Sequence, residues 1–328
     1  MLILNSADVQ KALSMPECIE AMKEAFAALS SGQVEMPLRT RIPVSKKDGI
    51  SLFMPAYLQG AEEEALAIKI VSVFNQNPSN GLPLIHAAVV MLNPSTGAVD
   101  ALLEGAALTA IRTGAGSGAA TDILARKDAK TVAILGAGIQ ARSQLLAVCT
   151  VRSIDSVSIY SPNIDEVQEL IGEMSGQGPI PTELHASATA AEAMSNADII
   201  CAATTSSTPV FEDKVIKAGV HINGIGSYTP EMQEVPSKTA ARAKVFVDSR
   251  QAAQVESGDI TTPLKAGLLK LEEITEIGEI LLDPAKGRQS DSDITFFKSV
   301  GLAVQDAVAG QLALQNAHKR NLGTQVKW

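Results

Sequence analysis

The sequence predicts an α/β protein: one domain built on a doubly wound parallel sheet, joined to an α+β domain made from both chain ends. Two observations predict it. From Lys130 onward, short and almost wholly apolar runs alternate with helical text, the pattern of a parallel sheet covered on both faces. Before Arg126, β-rich runs follow one another with only turn residues between them, as in a mixed or antiparallel sheet. A length of 328 residues accommodates two cores.

Taken in order, residues 6–30 carry apolar positions at three-and-four spacing and read as helix, stopped at Gly32. "RTRIPV", "SLFMPAYL", "ALAIKIVSVF" and "IHAAVVML" read as strands, separated by Gly49, Gly60 and "NPSNGLP". Small residues dominate "LTAIRTGAGSGAATDILARK", a long, tightly packed helix leading to a boundary near Arg126. The parallel sheet then takes "TVAILG", "SVSIYS", "ADIICAAT", "HINGIG" and "AKVFVDS", with helices over "DEVQELIGEM" and "AAEAMSN". The text "ITFFKSVGLAVQDAVAGQLALQNAHKR" reads as one long helix returning to the first domain. The expected domains are residues 1–125 with 297–328, and residues 126–296.

Composition narrows the partners. The chain carries 27 basic and 36 acidic residues, a net charge of −9, which disfavours binding to nucleic-acid phosphates. The three cysteines, Cys18, Cys149 and Cys201, have neither disulfide-framework nor metal-ligand spacing, so no metal site is expected. No run approaches the ~18 apolar residues of a membrane span. The opening "MLILNSADVQ" lacks the basic start of a secretory leader. The expectation is a cytoplasmic protein acting on a small molecule.

In "VAILGAGIQAR", Gly136, Gly138 and Ala141 form G-x-G-x-x-A at the end of a strand and the start of a helix. The first glycine permits the tight turn and the second lets backbone approach a pyrophosphate. The small third residue lets helix and strand pack, while the helix N-terminus offers N–H donors. This is the Rossmann pattern, and it nominates Gly136, Ala137, Gly138, Ile139, Gln140, Ala141 and Arg142 as cofactor contacts. A ribose-binding carboxylate is missing after the second strand, where Ser161, Pro162 and Asn163 stand. Ser161 and Asn163 suit a 2′-phosphate but no arginine accompanies them, so the cofactor is NADPH or NADH, with NADPH slightly ahead and the choice open.

In the first domain the informative residues are cations in apolar text. Lys69 alternates with Ile68 and Ile70, so it faces the other side of its strand. Arg39 follows "MPL", and Arg112 sits among small residues with no carboxylate nearby in the chain. Surface placement is the commoner fate of such residues. A guanidinium fork nevertheless suits a substrate carboxylate. His86, in "IHAAVV", supplies an imidazole, the side chain best suited to proton transfer near neutral pH, although a lone strand histidine is more often structural.

The ordered segments "PLRTRIPV", "SLFMPAYL", "IKIVSVF", "NPSTGAVDALLEGAALTAIRTGAGSGAA", "VAILGAGIQAR", "INGIGSYTPEMQE" and "TFFKSVGLAVQD" resemble the ornithine cyclodeaminase/μ-crystallin family over nearly the whole chain. The resemblance implies a homodimer with an NAD(P)-binding Rossmann domain and a substrate domain. It implies that Arg39, Lys69 and Arg112 serve the substrate carboxylate and the active site, and that Thr113 contacts the cofactor. Gly226, Ser227 and Val300 are implied near the nicotinamide. Cyclodeaminases place a catalytic aspartate where this chain has Ser227, and neither Glu231 nor Glu234 occupies that position. The implied chemistry is therefore reduction of a cyclic ketimine carboxylate such as Δ1-pyrroline-2-carboxylate. Alanine dehydrogenation, ornithine cyclodeamination and non-catalytic NADPH binding stand as alternatives.

Overall fold

The computed structural model describes residues 1–60 and 64–327. β1 (Leu2–Leu4), α1 (Ser6–Ala12) and α2 (Met15–Ser30) open the chain. β2 (Val34–Glu35), β3 (Thr40–Val44), β4 (Gly49–Gln59), β5 (Glu64–Phe74), β6 (Ile85–Leu92) and β7 (Val99–Glu104) follow, and α3 (Gly105–Leu124) leads to β8 (Thr131–Leu135). Next come α4 (Ile139–Val151), β9 (Ser156–Tyr160), α5 (Ile164–Met174), β10 (Leu184–Ala186), α6 (Ala190–Met194), β11 (Ile199–Ala202) and β12 (His221–Gly224). Then α7 (Ser237–Arg242), β13 (Lys244–Val247), α8 (Arg250–Glu256), α9 (Gly258–Lys265), β14 (Ile274–Glu276), α10 (Ile277–Leu282) and β15 (Thr295–Lys298) precede α11 (Ala303–Arg320) and β16 (Thr324–Gln325).

Two expectations are corrected. The first helix is two helices, because Ser14 caps a new start by accepting from Glu17 N and Pro16 occupies its first turn. The long terminal helix begins only at Ala303. Thr295–Lys298 is instead a strand paired in parallel with both β12 and β13. The buried Asp248 carboxylate ends that strand, accepting from Ser299 Oγ at 2.8 Å, Val300 N at 2.8 Å and Gly301 N at 2.9 Å. Donors committed to a carboxylate leave the helix to start further on.

The chain divides into two units, Met1–Arg112 with Leu302–Trp328, and Thr113–Gly301, the division falling within α3. In the first unit the sheet runs β16-β1-β7-β6-β5-β4-β2, with β3 also on β4. It is antiparallel apart from the parallel β1–β7 pair. One face buries Leu52, Met54, Ala67, Val89, Met91 and Leu103. Helix α11 packs across β4, β5 and β6, and α2 packs on α11. The opposite face carries Phe53, Ile68, Ile70, Ala88, Val90 and Leu102, all half-buried.

In the second unit every strand pair is parallel, in the order β10-β9-β8-β11-β12-β15-β13-β14. Successive β8 residues feed opposite cores. Val132 and Ile134 pack with Leu145 and Val148 of α4, while Ala133 and Leu135 pack with Ile222 and Phe296. The chain moves outward one way through β9 and β10, then the other way through β11 and β12. The topological switch point therefore lies between β8 and β11, and ligands of such sheets bind at its carboxyl edge.

Candidate active site

The glycine turn stands at that edge. Gly136 adopts φ +105°, and a Cβ there would lie 2.4 Å from Ala203 O, so only glycine fits. Gly138 is the N-cap of α4, with no side chain capping the helix, and a Cβ on it would meet nothing within 4 Å. The first N–H groups of α4, from Ile139, Gln140 and Ala141, thus lack a side-chain cap beside open space. Ala141 is fully buried, bringing the helix close to the sheet. An uncapped helix N-terminus with room in front of it fits a dinucleotide pyrophosphate.

Other nominated contacts are differently employed. Arg142 gives its guanidinium to Glu173 Oε2 at 2.6 Å and to Ala137 O at 2.6 Å. It braces the turn in this way. Asn163 caps α5, accepting from Asp165 N at 3.1 Å and donating to Glu166 Oε1 at 3.0 Å. Ser161 is half-buried at the end of β9. Thr113 is buried, and its carbonyl accepts from Gln144 Nε2 at 3.4 Å.

Beyond β12, Gly226 is half-buried. Ser227 is fully buried, donating its hydroxyl to Met232 O at 2.6 Å and lying 3.0 Å from Ser257 Oγ. Its side chain is satisfied inside the unit, which corrects the expectation that it faces the nicotinamide. Val300 is buried beside the Asp248 carboxylate that takes its N–H.

In the first unit, Lys69 and Arg112 meet a carboxylate. Asp306, in the first turn of α11, sits 2.7 Å from Lys69 Nζ and 2.9 Å from Arg112 Nε. All three are almost fully buried. Gln305 Oε1 accepts from Arg112 Nη1 at 3.3 Å and from Leu302 N at 2.8 Å. The positive end of the α11 dipole favours the carboxylate. Burial, then the Arg112 charge, pulls the Lys69 ammonium down to about 7, against the raising effect of Asp306, with Arg39 lowering it further. Arg39 is half-buried.

Asp306 and Gln305 are the residues that reasoning from local text missed. The only sequence signal was one acidic residue in the otherwise uncharged "SVGLAVQDAVAGQLALQNA". His86 is the opposite correction. Lys69 pairs with Val89 and Ser72 with His86, so His86 projects from the other face of the sheet, where it is exposed. It does not share the face on which Lys69 meets Asp306. Among the described residues no His, Cys, Asp and Glu group is arranged to hold a metal ion.

A doubly wound sheet with an uncapped glycine turn at its switch point is the build of a dinucleotide-binding protein. The chain belongs to the ornithine cyclodeaminase/mu-crystallin family, whose model matches residues 1–321. It is 39% identical over 330 residues to a Δ1-pyrroline-2-carboxylate reductase of Bacillus cereus, covering all of both chains. It superposes with a TM-score of 0.94, at 43% identity, on the Thermococcus litoralis Δ1-pyrroline-2-carboxylate reductase in complex with NADH and L-proline. That match covers 99% of this chain and 100% of that one. An archaeal alanine dehydrogenase dimer with bound NAD matches at 31% identity and TM-score 0.92, over 100% of this chain and 99% of that one.

Proposed function

We propose that the protein is an NADH-dependent reductase of a cyclic ketimine carboxylate, turning Δ1-pyrroline-2-carboxylate into L-proline. The observation that carries this is the buried Lys69–Asp306–Arg112 cluster, two cations on one carboxylate with a proton to give. End-to-end similarity to two reductases of that substrate supports it. Bound NADH supplies the hydride. Arg112 and Arg39 hold the substrate carboxylate and so fix the orientation of the ring. Lys69 gives a proton to the imine nitrogen, because a cationic C=N accepts hydride more readily than a neutral one.

The Lys69 ammonium near 7 is suited to that transfer. A substrate carboxylate beside the ammonium favours its charged form, so Lys69 holds its proton once substrate is bound. NADH replaces the NADPH preference expected from sequence. Arg142 is engaged by Glu173, Asn163 caps α5, and the first turn of that helix is acidic, with Asp165 and Glu166. None of these welcomes a 2′-phosphate. The half-buried apolar face of the first sheet supports a homodimer, the state of the archaeal alanine dehydrogenase. Three buried free thiols suit the reducing cytoplasm.

The test is oxidation of NADH and of NADPH by the purified protein with five- and six-membered ketimine carboxylates, pyruvate plus ammonia, and no substrate. Faster turnover of a ketimine with NADH is expected. Turnover of pyruvate plus ammonia alone makes the protein an alanine dehydrogenase, and NADH binding without any turnover makes it a carrier.

A further inference from the structure

The chemistry above leaves several buried carboxylates unused, and one of them, Glu234, ties together two loops of the second unit. Glu234 is fully buried and accepts four hydrogen bonds, all from the loops at the carboxyl ends of β11 and β12. Oε1 takes Thr204 N at 2.6 Å and Thr204 Oγ1 at 2.8 Å, while Oε2 takes Gly226 N at 2.5 Å and Ser227 N at 3.0 Å. The loops lie so close that a Cβ on Gly226 would be 1.8 Å from Thr204 O. Glu234 is itself anchored. Asp259 Oδ1 accepts from Glu234 N at 2.7 Å and Val235 N at 2.9 Å, and Asp259 Oδ2 lies 3.3 Å from Lys298 Nζ. Burial pushes the Glu234 carboxyl upward, and Lys298 opposes that push.

Buried charge is costly, and a chain that needed only a stable turn would satisfy these N–H groups with neutral acceptors. Here a carboxylate ties the loops that border one side of the switch point. In a doubly wound sheet the pyrophosphate sits at the first glycine turn, and the halves of the dinucleotide extend to either side of it. We propose that Glu234 is a positioning residue for the nicotinamide half: it locks the loops after β11 and β12 into one rigid ledge against which that half is held. It acts through the backbone of those loops and does not itself touch the cofactor. The inference rests on dinucleotide binding and is independent of the ketimine.

The experiment compares wild type with Glu234→Gln in the full chain, measuring NADH and ADP dissociation constants and the Tm without ligand. ADP carries the adenosine and pyrophosphate but no nicotinamide. The amide presents donors where the loops also present donors, so NADH affinity is expected to fall at least tenfold while ADP affinity stays within twofold. Should that variant not fold, Thr204→Val removes the hydroxyl's bond to Glu234 Oε1, together with the one it accepts from Ser206 N in the same loop, and is expected to weaken NADH two- to fourfold, again sparing ADP. Equal loss of NADH and ADP, or a lowered Tm with unchanged NADH affinity, overturns the proposal. Wild-type protein that binds neither ligand overturns the cofactor assignment itself.

Discussion

At the scale of single residues, Lys69 is the group whose charge hangs in the balance at neutral pH. Its ammonium is pulled down to about 7 by burial and by Arg112, and Asp306 holds it up. Reduction needs the protonated form, so kcat/KM, which reports the free enzyme, is expected to fall as pH rises through about 7. The limb in kcat, which reports the complex, belongs at higher pH because the bound carboxylate favours the ammonium. Asp306→Asn removes the anion that raises Lys69, so the kcat/KM limb moves to lower pH. A pH–rate series on the two proteins checks this, and an unmoved limb denies Asp306 its hold on Lys69. The same substitution leaves the buried Arg112 guanidinium without its counter-charge, an expected loss of about 3–5 kcal/mol in a denaturant titration. Lys69 and Arg112 could be nominated from text because a cation in an apolar run is locally conspicuous. Asp306 could not, since it meets Arg112 from 194 positions away.

At the scale of elements, the start of α4 separates two uses of glycine. Gly136→Ala forces a side chain into a left-handed backbone against Ala203 O, costing at least about 1–2 kcal/mol of stability. Gly138→Asp places a good N-cap into open space, so the Tm is expected to hold or rise. Its carboxylate then occupies the pyrophosphate position, and NADH affinity should drop at least tenfold in a fluorescence titration. Loss of stability without loss of NADH affinity in Gly138→Asp would remove the turn from the cofactor site. This turn was legible because its requirements are local: a backbone angle, a close approach, a helix start. β15 was not, because its neighbours β12 and β13 come from other parts of the chain and its apolar text joins smoothly to that of α11.

At the scale of the molecule, the first sheet uses its two faces differently. One is buried beneath α11 and carries Lys69; the other presents Phe53, Ile68, Ile70 and Val90 half-buried. Ile70→Lys puts a charge in the middle of that apolar face, and in a homodimer built on it the cost of burying an unpaired ammonium disfavours association. Sedimentation is expected to show a dimer for wild type and a monomer for the variant, whereas an unchanged dimer would place the interface elsewhere. Sequence by itself determined the alternation that makes a parallel sheet, the glycine turn at its first strand, and which cations are set in apolar text, because backbone conformation and strand or helix period depend on near neighbours in the chain. Only the tertiary structure decided that Asp306 partners Lys69, that His86 lies on the opposite face, that Ser227 turns inward and that Arg142 braces a loop. Desolvation and Coulomb attraction act over a few ångströms of space, whatever the distance along the chain.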